Sequence, residues 1–345
     1  MARPALVELT LARIREFVRE PEAVFWVFVF PVLLALALGL AFRERPPEPV
    51  RVGLVAGPET GAALAADLAA HPGLDVVPLA PAEARLALAR GRVGALIERR
   101  DGGWILRHDP TRPESRLARL VAEDALQREA GRRDPVPVAV EPVHERGGRY
   151  IDFLVPGLLG MNLMGTGMWG IGFNVVQARS KQMLKRLGAT PMRRADYLLA
   201  QVFGRLFFLP LEVGLIVGFS MIVFGVPLRG SPLLFTAACL VGAFCFSAIG
   251  LLVAARPRTI EGVSGLMNFV MLPMWIGSGI FFSTARFPEA VQPLLAALPL
   301  TAVIDALRAV MLDGAGPAGV ARPLAIAAGW GIVSLGLALP SFRWR

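Results

Sequence analysis

The segment QARSKQMLKRLGATPMRRADY, from Gln177 to Tyr197, separates two long apolar stretches of the chain. It contains six basic residues and one acidic residue, and it holds both of the chain's lysines. Apolar runs of 18 or more residues are typical of membrane spans, so a charged segment between two such runs is typical of a loop that leaves the bilayer. The whole chain of 345 residues is 54% hydrophobic. These features predict an α-helical integral membrane protein.

The apolar runs predict six transmembrane helices. The first covers residues 23–42; because it follows a charged segment and exceeds the length of a signal-peptide core, we expect it to be retained. Residues 1–22 alternate apolar and charged positions at helical spacing, which indicates an amphipathic helix on the membrane surface. The other five spans are predicted at Phe153–Val176, Tyr197–Val226, Leu233–Ala255, Gly262–Phe282 and Leu324–Leu339.

Between the first and second spans, residues 43–150 contain no run long enough to cross a membrane. The segments VRVGLVAG, GLDVVPL, RVGALIER and GGWILRHD have the pattern of strands, and the last two are joined by a hairpin signal at Asp101-Gly102-Gly103. Helical segments separate the earlier strands and follow the last one. This alternation predicts a small inserted α/β domain.

Residues 151–345 form the predicted five-span membrane domain, and residues 287–314 interrupt it. Three prolines and several charged residues divide this segment, so we expect short interfacial or re-entrant helices here.

Basic residues are unevenly distributed among the loops. They concentrate in the loop of residues 177–196, in the turn ARPRTIE and in the tail SFRWR. Because cytoplasmic loops carry the excess of Lys and Arg, both termini and this loop are predicted to be cytoplasmic and the α/β domain external.

Motifs in two stretches of the chain carry a family resemblance. The stretch from Tyr150 to Val202 contains DFLVPGLL followed by LKRLGATP, and the stretch from Gly265 to Met311 contains LPMWIGSGIFF and LPLTAVIDALR. In these motifs and in the order of its parts, the chain resembles the permease subunits of type-2 ABC exporters across nearly its whole length. The family usually has an acidic residue and a glycine before the LKRL element; here these positions read Ser180, Lys181 and Gln182.

The resemblance implies that the basic loop contains a coupling helix, which docks on a separate ATPase subunit. Met183, Leu184 and Leu187 would form its apolar face, with basic residues around it and Thr190-Pro191 closing the turn. The residues that the resemblance assigns to ATPase coupling are Arg179, Lys181, Met183, Leu184, Lys185, Arg186, Leu187, Gly188, Thr190 and Pro191. From the residues alone, ARSKQMLKRLG is predicted to be one short amphipathic helix.

The chain is predicted to be a transport subunit and not an enzyme. Neither lysine follows a glycine, so the phosphate-binding loop G-x-x-x-x-G-K-[ST] is absent. No cofactor or metal is expected on this chain; ATP and magnesium would bind the partner ATPase. The expected partners are that ATPase, a second permease copy and the lipid bilayer, with no nucleic acid. The expected location is the bacterial inner membrane, and drug-like amphiphiles, lipids and polymers all stay open as substrates.

Polar residues within the predicted spans are candidates for the substrate path. Glu212 is the ionisable one, and pairing with Arg205, seven residues earlier, is the structural alternative to a substrate contact. Asn162, Thr166 and Asn268 are the uncharged candidates, for which hydrogen bonding between helices is the favoured interpretation. Close helix packing at a dimer or bundle interface is expected at four glycines: Gly165, Gly167, Gly170 and Gly172.

Other site types have weak support. His108-Asp109 is an isolated pair, and Cys239 and Cys245 stand on different faces of one helix. The alternative function that the sequence leaves open is a membrane sensor or interaction protein with an external ligand-binding domain.

Overall fold

The computed structural model describes residues 5–42, 49–57, 62–71, 73–100, 103–133, 136, 138–139, 148–189 and 194–342. It divides into two compact units: a helical unit, Met1–Arg43 with His144–Arg345, and an α/β unit, Glu44–Val143. Several residues of the predicted strands, helices and loops lie outside the described residues: Pro58, Asp101, Gly102, His144, Thr190, Pro191, Arg343 and Arg345.

The helical unit is built from long and short helices. Its first part contains α1 (Ala5–Val18) and a continuous helix Pro21–Ala41, made of α2 (Pro21–Val24), a π-helical turn (Phe25–Val29) and α3 (Phe30–Ala41). Its second part contains α7 (Tyr150–Ser180), α8 (Met183–Gly188), α9 (Arg194–Phe224), α10 (Pro232–Ala254), α11 (Ile260–Gly277), a 3-10 turn (Thr284–Arg286), α12 (Gln292–Ala296), α13 (Pro299–Met311) and α14 (Pro317–Ser341).

The α/β unit contains a four-stranded mixed sheet with the order β2-β1-β3-β4. The strands are β1 (Val50–Val55), β2 (Leu74–Leu79), β3 (Ala95–Arg100) and β4 (Gly103–His108), and the helices are α4 (Ala62–Ala69), α5 (Pro81–Ala89) and α6 (Pro113–Glu129). β1 is parallel to β2 and β3, whereas β3 and β4 form an antiparallel hairpin in which Ala95 faces His108.

Two small cores stabilise this sheet, one on each face. On one face, Val52, Leu54 and Ile97 pack with residues of α4 and α6; on the other, Val55 and Leu96 pack with α5. The crossover connections place helices on both faces because parallel neighbours cannot be joined by a tight turn. The strand and helix positions agree with those that the sequence predicts.

Five helices within the described residues are long and apolar enough to cross a membrane by length and composition: Pro21–Ala41, Leu199–Phe224, Pro232–Ala254, Ile260–Gly277 and Pro317–Ser341. The remaining predicted span, Phe153–Val176 in α7, is not among these five helices. α7 lies at the centre of the helical unit, where α9, α10, α11 and α13 pack around it. A helix covered by protein presents little surface to lipid, which explains why glycine, asparagine and threonine replace large apolar residues in it.

The structure corrects two span boundaries. The predicted fifth span, Gly262–Phe282, ends as a helix at Gly277, and Gly279 follows in the left-handed conformation with φ of +74°. The predicted last span, Leu324–Leu339, belongs to a helix that begins seven residues earlier, at Pro317. Proline suits this first helical position because the missing N–H group has no partner there in any case.

The proline-rich segment of residues 287–314 forms α12 and α13, two short helices as predicted. Nearly the whole of α13 is buried, from Pro299 to Met311, against α7, α10 and α14. The helical unit therefore has a core in which a short helix and a long glycine-rich helix are both surrounded. The position of this segment in the membrane stays a prediction.

Candidate functional site

A buried polar cluster joins α7 to α9. The Arg205 guanidinium and the Glu212 carboxylate form an ion pair with a separation of 2.6 Å, and their side chains are 8% and 0% exposed. The Thr166 hydroxyl lies 3.1 Å from Glu212 Oε1 and 2.7 Å from the backbone carbonyl of Asn162. Arg205 donates a hydrogen bond to the Thr166 hydroxyl oxygen. Three of the four predicted path residues, Asn162, Thr166 and Glu212, are therefore neighbours.

The ion pair spans almost two turns of α9. The long arginine side chain bridges this distance on one helix face, on which residues seven apart recur. A buried charge without a partner is costly, so each group needs the other for the cluster to persist. The structure thus gives Glu212 a partner on its own helix, which was the structural alternative for this residue.

The cluster is not saturated with hydrogen bonds. Among the described side chains, the buried atoms without a hydrogen-bond partner include Asn162 Nδ2, Gln201 Oε1 and Arg205 Nε. Such atoms are unusual in folded proteins and mark places where a further polar partner would lower the free energy. Asn268 does not belong to this group, because it is exposed on α11 and does not line the cavity described next.

A cavity of about 990 Å³ lies next to the cluster. It is bordered by α1, by the helix Pro21–Ala41, by α7 and α9, and by Trp275 of α11. Asn162, Thr166, Gln201 and Arg205 all contribute to its wall, whereas Glu212 lies behind the wall. The volume is in the range of sites that enclose small organic molecules.

The four glycines of α7 separate into two pairs. A Cβ atom at Gly167 would lie 2.8 Å from Phe246 Cβ and 3.2 Å from the backbone of α10, and one at Gly172 would overlap with Met267. These two glycines permit the close packing that the sequence predicts. At Gly165 and Gly170 a Cβ atom would meet nothing within 4 Å, because both residues line the cavity. For these two, close packing among the described helices of this chain is wrong, and close packing at a dimer interface stays a prediction.

The basic loop contains a break that the sequence does not predict. α7 continues to Ser180, Gln182 takes a left-handed conformation with φ of +56°, and α8 then begins at Met183. The predicted single helix over ARSKQMLKRLG is therefore two helices joined by a turn. This turn lies before the LKRL element, where the resembling family usually has a glycine, the residue that adopts positive φ most readily.

The exposed surface of α8 is smaller than the predicted apolar face. Met183 is 49% exposed, and Lys181, Lys185 and Arg186 are exposed as well. Leu184, by contrast, is 1% exposed and belongs to the core of its own chain, so in this conformation it is not available to a partner. Leu187 and Gly188 are in α8, but their side chains lie outside the described ones.

Arg179 has a structural position rather than a place on the loop surface. Its side chain is buried and donates hydrogen bonds to the backbone carbonyls of Ala254, Ala255 and Pro257, at the end of α10. Its guanidinium also lies 5.2 Å from the ring centre of Phe342. The last carbonyl groups of a helix have no partner within it, and a planar cation satisfies several at once. The predicted rim residue Arg179 therefore joins α7 to the end of α10.

Arg308 was missed as a functional candidate, although it stands in the quoted motif LPLTAVIDALR. Arg308 projects from α13, donates to the carbonyls of Phe153 and Gly279, and stacks at 3.6 Å on the Phe153 ring. It therefore holds the first turn of α7 against the loop after α11. An arginine within an apolar segment is the signal that could have identified it.

His108-Asp109 in the α/β unit is a structural turn. The Asp109 carboxylate accepts hydrogen bonds from the hydroxyl and the backbone N–H of Thr111, at 2.6 and 2.9 Å, and these bonds lower the pKa of Asp109. Within the described residues, no three His, Cys, Asp or Glu side chains are grouped as metal ligands. Cys239 and Cys245 are both buried and unpaired with each other.

The chain is similar to several known membrane proteins. The inner membrane transport permease YhhJ of Escherichia coli (strain K12) is 24% identical over 150 residues, which are 42% of this chain and 39% of that protein. The inner membrane transport permease YadH of the same organism is 27% identical over 163 residues, or 47% of this chain and 63% of that protein. The putative transport permease YvfS of Bacillus subtilis (strain 168) is 26% identical over 139 residues, or 40% and 56%.

These alignments cover between 39% and 63% of the relatives' own length. A family model described as ABC-2 family transporter protein matches residues 114–339. That range includes α7, the basic loop, the polar cluster of α7 and α9, and the arginine of α13. Since the match covers well over half of the chain, this multi-pass membrane protein belongs to the ABC-2 family of transporter proteins.

Proposed function

We propose that this chain is the membrane-spanning subunit of an ATP-driven exporter in a bacterial inner membrane, and that a separate polypeptide supplies the ATPase. Family membership carries the proposal, because the matched range contains the helices that would line a substrate path and the loop that would meet an ATPase. Two copies of this chain, or this chain and a related one, would form the complete permease. With the five candidate spans of this chain, α7 would make a total of six membrane-spanning helices.

The contact with the ATPase is proposed for the short helix α8. This helix stands between α7 and α9, and its exposed Met183, Lys185 and Arg186 combine an apolar residue with two cations. Lys181 in the preceding turn adds a further exposed charge. An apolar side chain surrounded by charge is suited to a small docking surface, because the apolar contact supplies affinity while the charges orient the partner.

Movement of α8 would pass directly into the helical core. Leu184 of α8 is packed in that core, and Arg179 joins the adjacent end of α7 to the end of α10. Closure of the ATPases on ATP would therefore displace α7 and α10 together. Because α7 carries Asn162 and Thr166 on the cavity wall, we infer that this displacement alters access to the cavity and moves substrate outward.

The test is recovery of an ATPase with the tagged chain from its native host. The wild-type chain should co-purify with a polypeptide that hydrolyses Mg-ATP, while the separated chain should have no such activity. Met183→Asp should reduce recovery of the ATPase, since it loses about 1.5–3 kcal/mol of apolar burial and places a charge in the contact.

Met183→Leu is the matched control and should leave ATPase recovery unchanged, because it keeps an apolar side chain at the same exposed position. Membrane insertion of both variants should be equal to that of the wild type. If the wild-type chain co-purifies with no ATP-hydrolysing polypeptide, or if the separated chain hydrolyses ATP, the proposed function is wrong. If Met183→Asp retains full recovery, the docking surface does not include Met183.

A further inference from the structure

The cavity beside the polar cluster has two chemically different parts. Its larger part is apolar and rich in rings: Phe17 and Phe208 lie 4.4 Å apart between ring centres, and Trp26, Phe30 and Trp169 contribute further aromatic surface. Aromatic side chains offer large, stiff contact areas to planar or branched apolar groups. This part of the wall therefore favours an apolar, ring-bearing body.

The smaller part of the wall is polar. Asn162, Thr166, Gln201 and Arg205 line it; Asn162 Nδ2 and Arg205 Nε are buried donors without a hydrogen-bond partner, and Gln201 Oε1 is a buried acceptor without one. Glu212, which neutralises Arg205, is fully buried behind the wall and does not line the cavity. A ligand group at this place would thus meet amide groups, a hydroxyl and the Arg205 guanidinium, and no carboxylate.

Acidic residues line the cavity elsewhere. Within the described part of the chain these are Glu20, which is next to Arg19 in the junction before the helix Pro21–Ala41, and Glu22 in the first turn of that helix; both are exposed. Solvent screening and the neighbouring cation make them weak partners for a positively charged ligand. The buried polar part consequently distinguishes ligands by charge more strongly than the exposed part does.

We propose that this cavity binds an amphiphile that combines an apolar, ring-bearing body with a neutral or anionic hydrogen-bond-accepting group. The accepting group would lie against Asn162 and Arg205, and the body against Trp26, Trp169 and Phe208. This inference rests on the proposed function, since such a molecule would be the exported substrate. It favours amphiphiles over polymers, because the volume of about 990 Å³ is that of a small-molecule site.

Binding is tested on the purified chain in lipid nanodiscs, without an ATPase. The probe is 11-(dansylamino)undecanoate, an aromatic amphiphile with a carboxylate, and binding is measured as energy transfer from tryptophan, since Trp26, Trp169 and Trp275 line the cavity. A matched dansyl undecyl trimethylammonium probe has the opposite charge. The carboxylate probe should bind about 10-fold or more tightly than the ammonium probe, as loss of a charge-assisted hydrogen bond predicts.

Asn162→Leu removes the amide and keeps a branched side chain with the same number of non-hydrogen atoms. It should weaken the carboxylate probe by about 10-fold, again the scale of one hydrogen bond to a charged group. Asn268→Leu is the control, because it makes the same substitution on a spanning helix outside the cavity. It should leave binding unchanged. If Asn162→Leu does not fold, Gly165→Leu replaces it: this position borders the cavity and has open space where a side chain would extend.

Equal binding of the two probes, or equal binding by the wild type and the cavity variants, overturns the inference. So does a loss of binding in Asn268→Leu as large as that in Asn162→Leu. These outcomes are independent of the ATPase experiment. A chain that binds the probe but recovers no ATPase retains the cavity assignment and loses the exporter, and a chain that recovers an ATPase but binds no probe does the reverse.

Discussion

Two arginines perform the same task at opposite ends of α7. Arg179 holds the last turn of α7 to the end of α10, and Arg308 holds its first turn to the loop after α11. Arg179 donates to carbonyls at the end of α10 that no helix satisfies internally, whereas Arg308 donates to the Gly279 carbonyl in the loop after α11 and to the Phe153 carbonyl within α7. Because a guanidinium presents several donors in one plane, it fixes the relative position of two segments better than a single ammonium group does.

Replacement of Arg179 tests whether this residue is structural or part of the docking surface. Arg179→Lys keeps the positive charge but cannot donate to the three carbonyls at once, so it should lower the free energy of unfolding by about 1–3 kcal/mol. The measurement is thermal unfolding of the purified chain in detergent. Arg186→Lys, at an exposed position of α8, should leave the unfolding temperature unchanged.

Unchanged stability of Arg179→Lys together with reduced ATPase recovery would return Arg179 to the docking surface. Reduced stability with ATPase recovery in proportion to the folded fraction would support its structural position.

At the scale of elements, one face of α7 packs closely against other helices, and another face borders the cavity. Gly167 and Gly172 lie where α10 and α11 approach, and Gly165 and Gly170 lie along the cavity. A small residue thus has opposite consequences on the two faces of one helix. It brings backbones together where a neighbour is present, and it widens a cavity where none is.

Alanine substitutions should separate the two faces. Gly167→Ala places its Cβ atom 2.8 Å from Phe246 Cβ and close to the backbone of α10, so it should destabilise the chain by about 1–3 kcal/mol. Gly165→Ala meets no neighbour and should be neutral or stabilising by up to about 1 kcal/mol through helix propensity. Thermal unfolding in detergent measures both, and equal destabilisation by the two substitutions would contradict the assignment of the faces.

At the scale of the whole molecule, the orientation in the membrane stays a prediction from charge. The basic loop of residues 177–196 and the described turn at Arg256 and Arg258 are expected on the cytoplasmic side, and the α/β unit on the external side. In this arrangement the helical unit would contact lipid, and the α/β unit would contact the external aqueous phase. The external unit would then be available to substrate or to further partners after export.

Cysteine labelling of spheroplasts tests the orientation. After replacement of Cys239 and Cys245 by alanine, a cysteine at the exposed Glu83 should react with a membrane-impermeant maleimide, and a cysteine at the exposed Ser180 should react only after lysis. The opposite labelling pattern would show that the topology is inverted, and α8 could then not contact a cytoplasmic ATPase.

The sequence by itself determined the membrane class, five of the spans and the elements of the α/β unit, because these follow from the length and period of apolar runs. It also brought out the family resemblance, and it selected Asn162, Thr166 and Glu212 as polar residues in apolar surroundings. Tertiary structure decided the rest. Whether Glu212 faces a cavity or Arg205, whether Gly165 packs, whether Leu184 is exposed and what Arg179 contacts all depend on which neighbours meet one helix face. For Gly165, Leu184 and Arg179 local sequence does not encode these neighbours, because residues far apart in the chain supply them. Arg205 is only seven residues from Glu212, so the sequence named that pair but did not decide between it and the cavity.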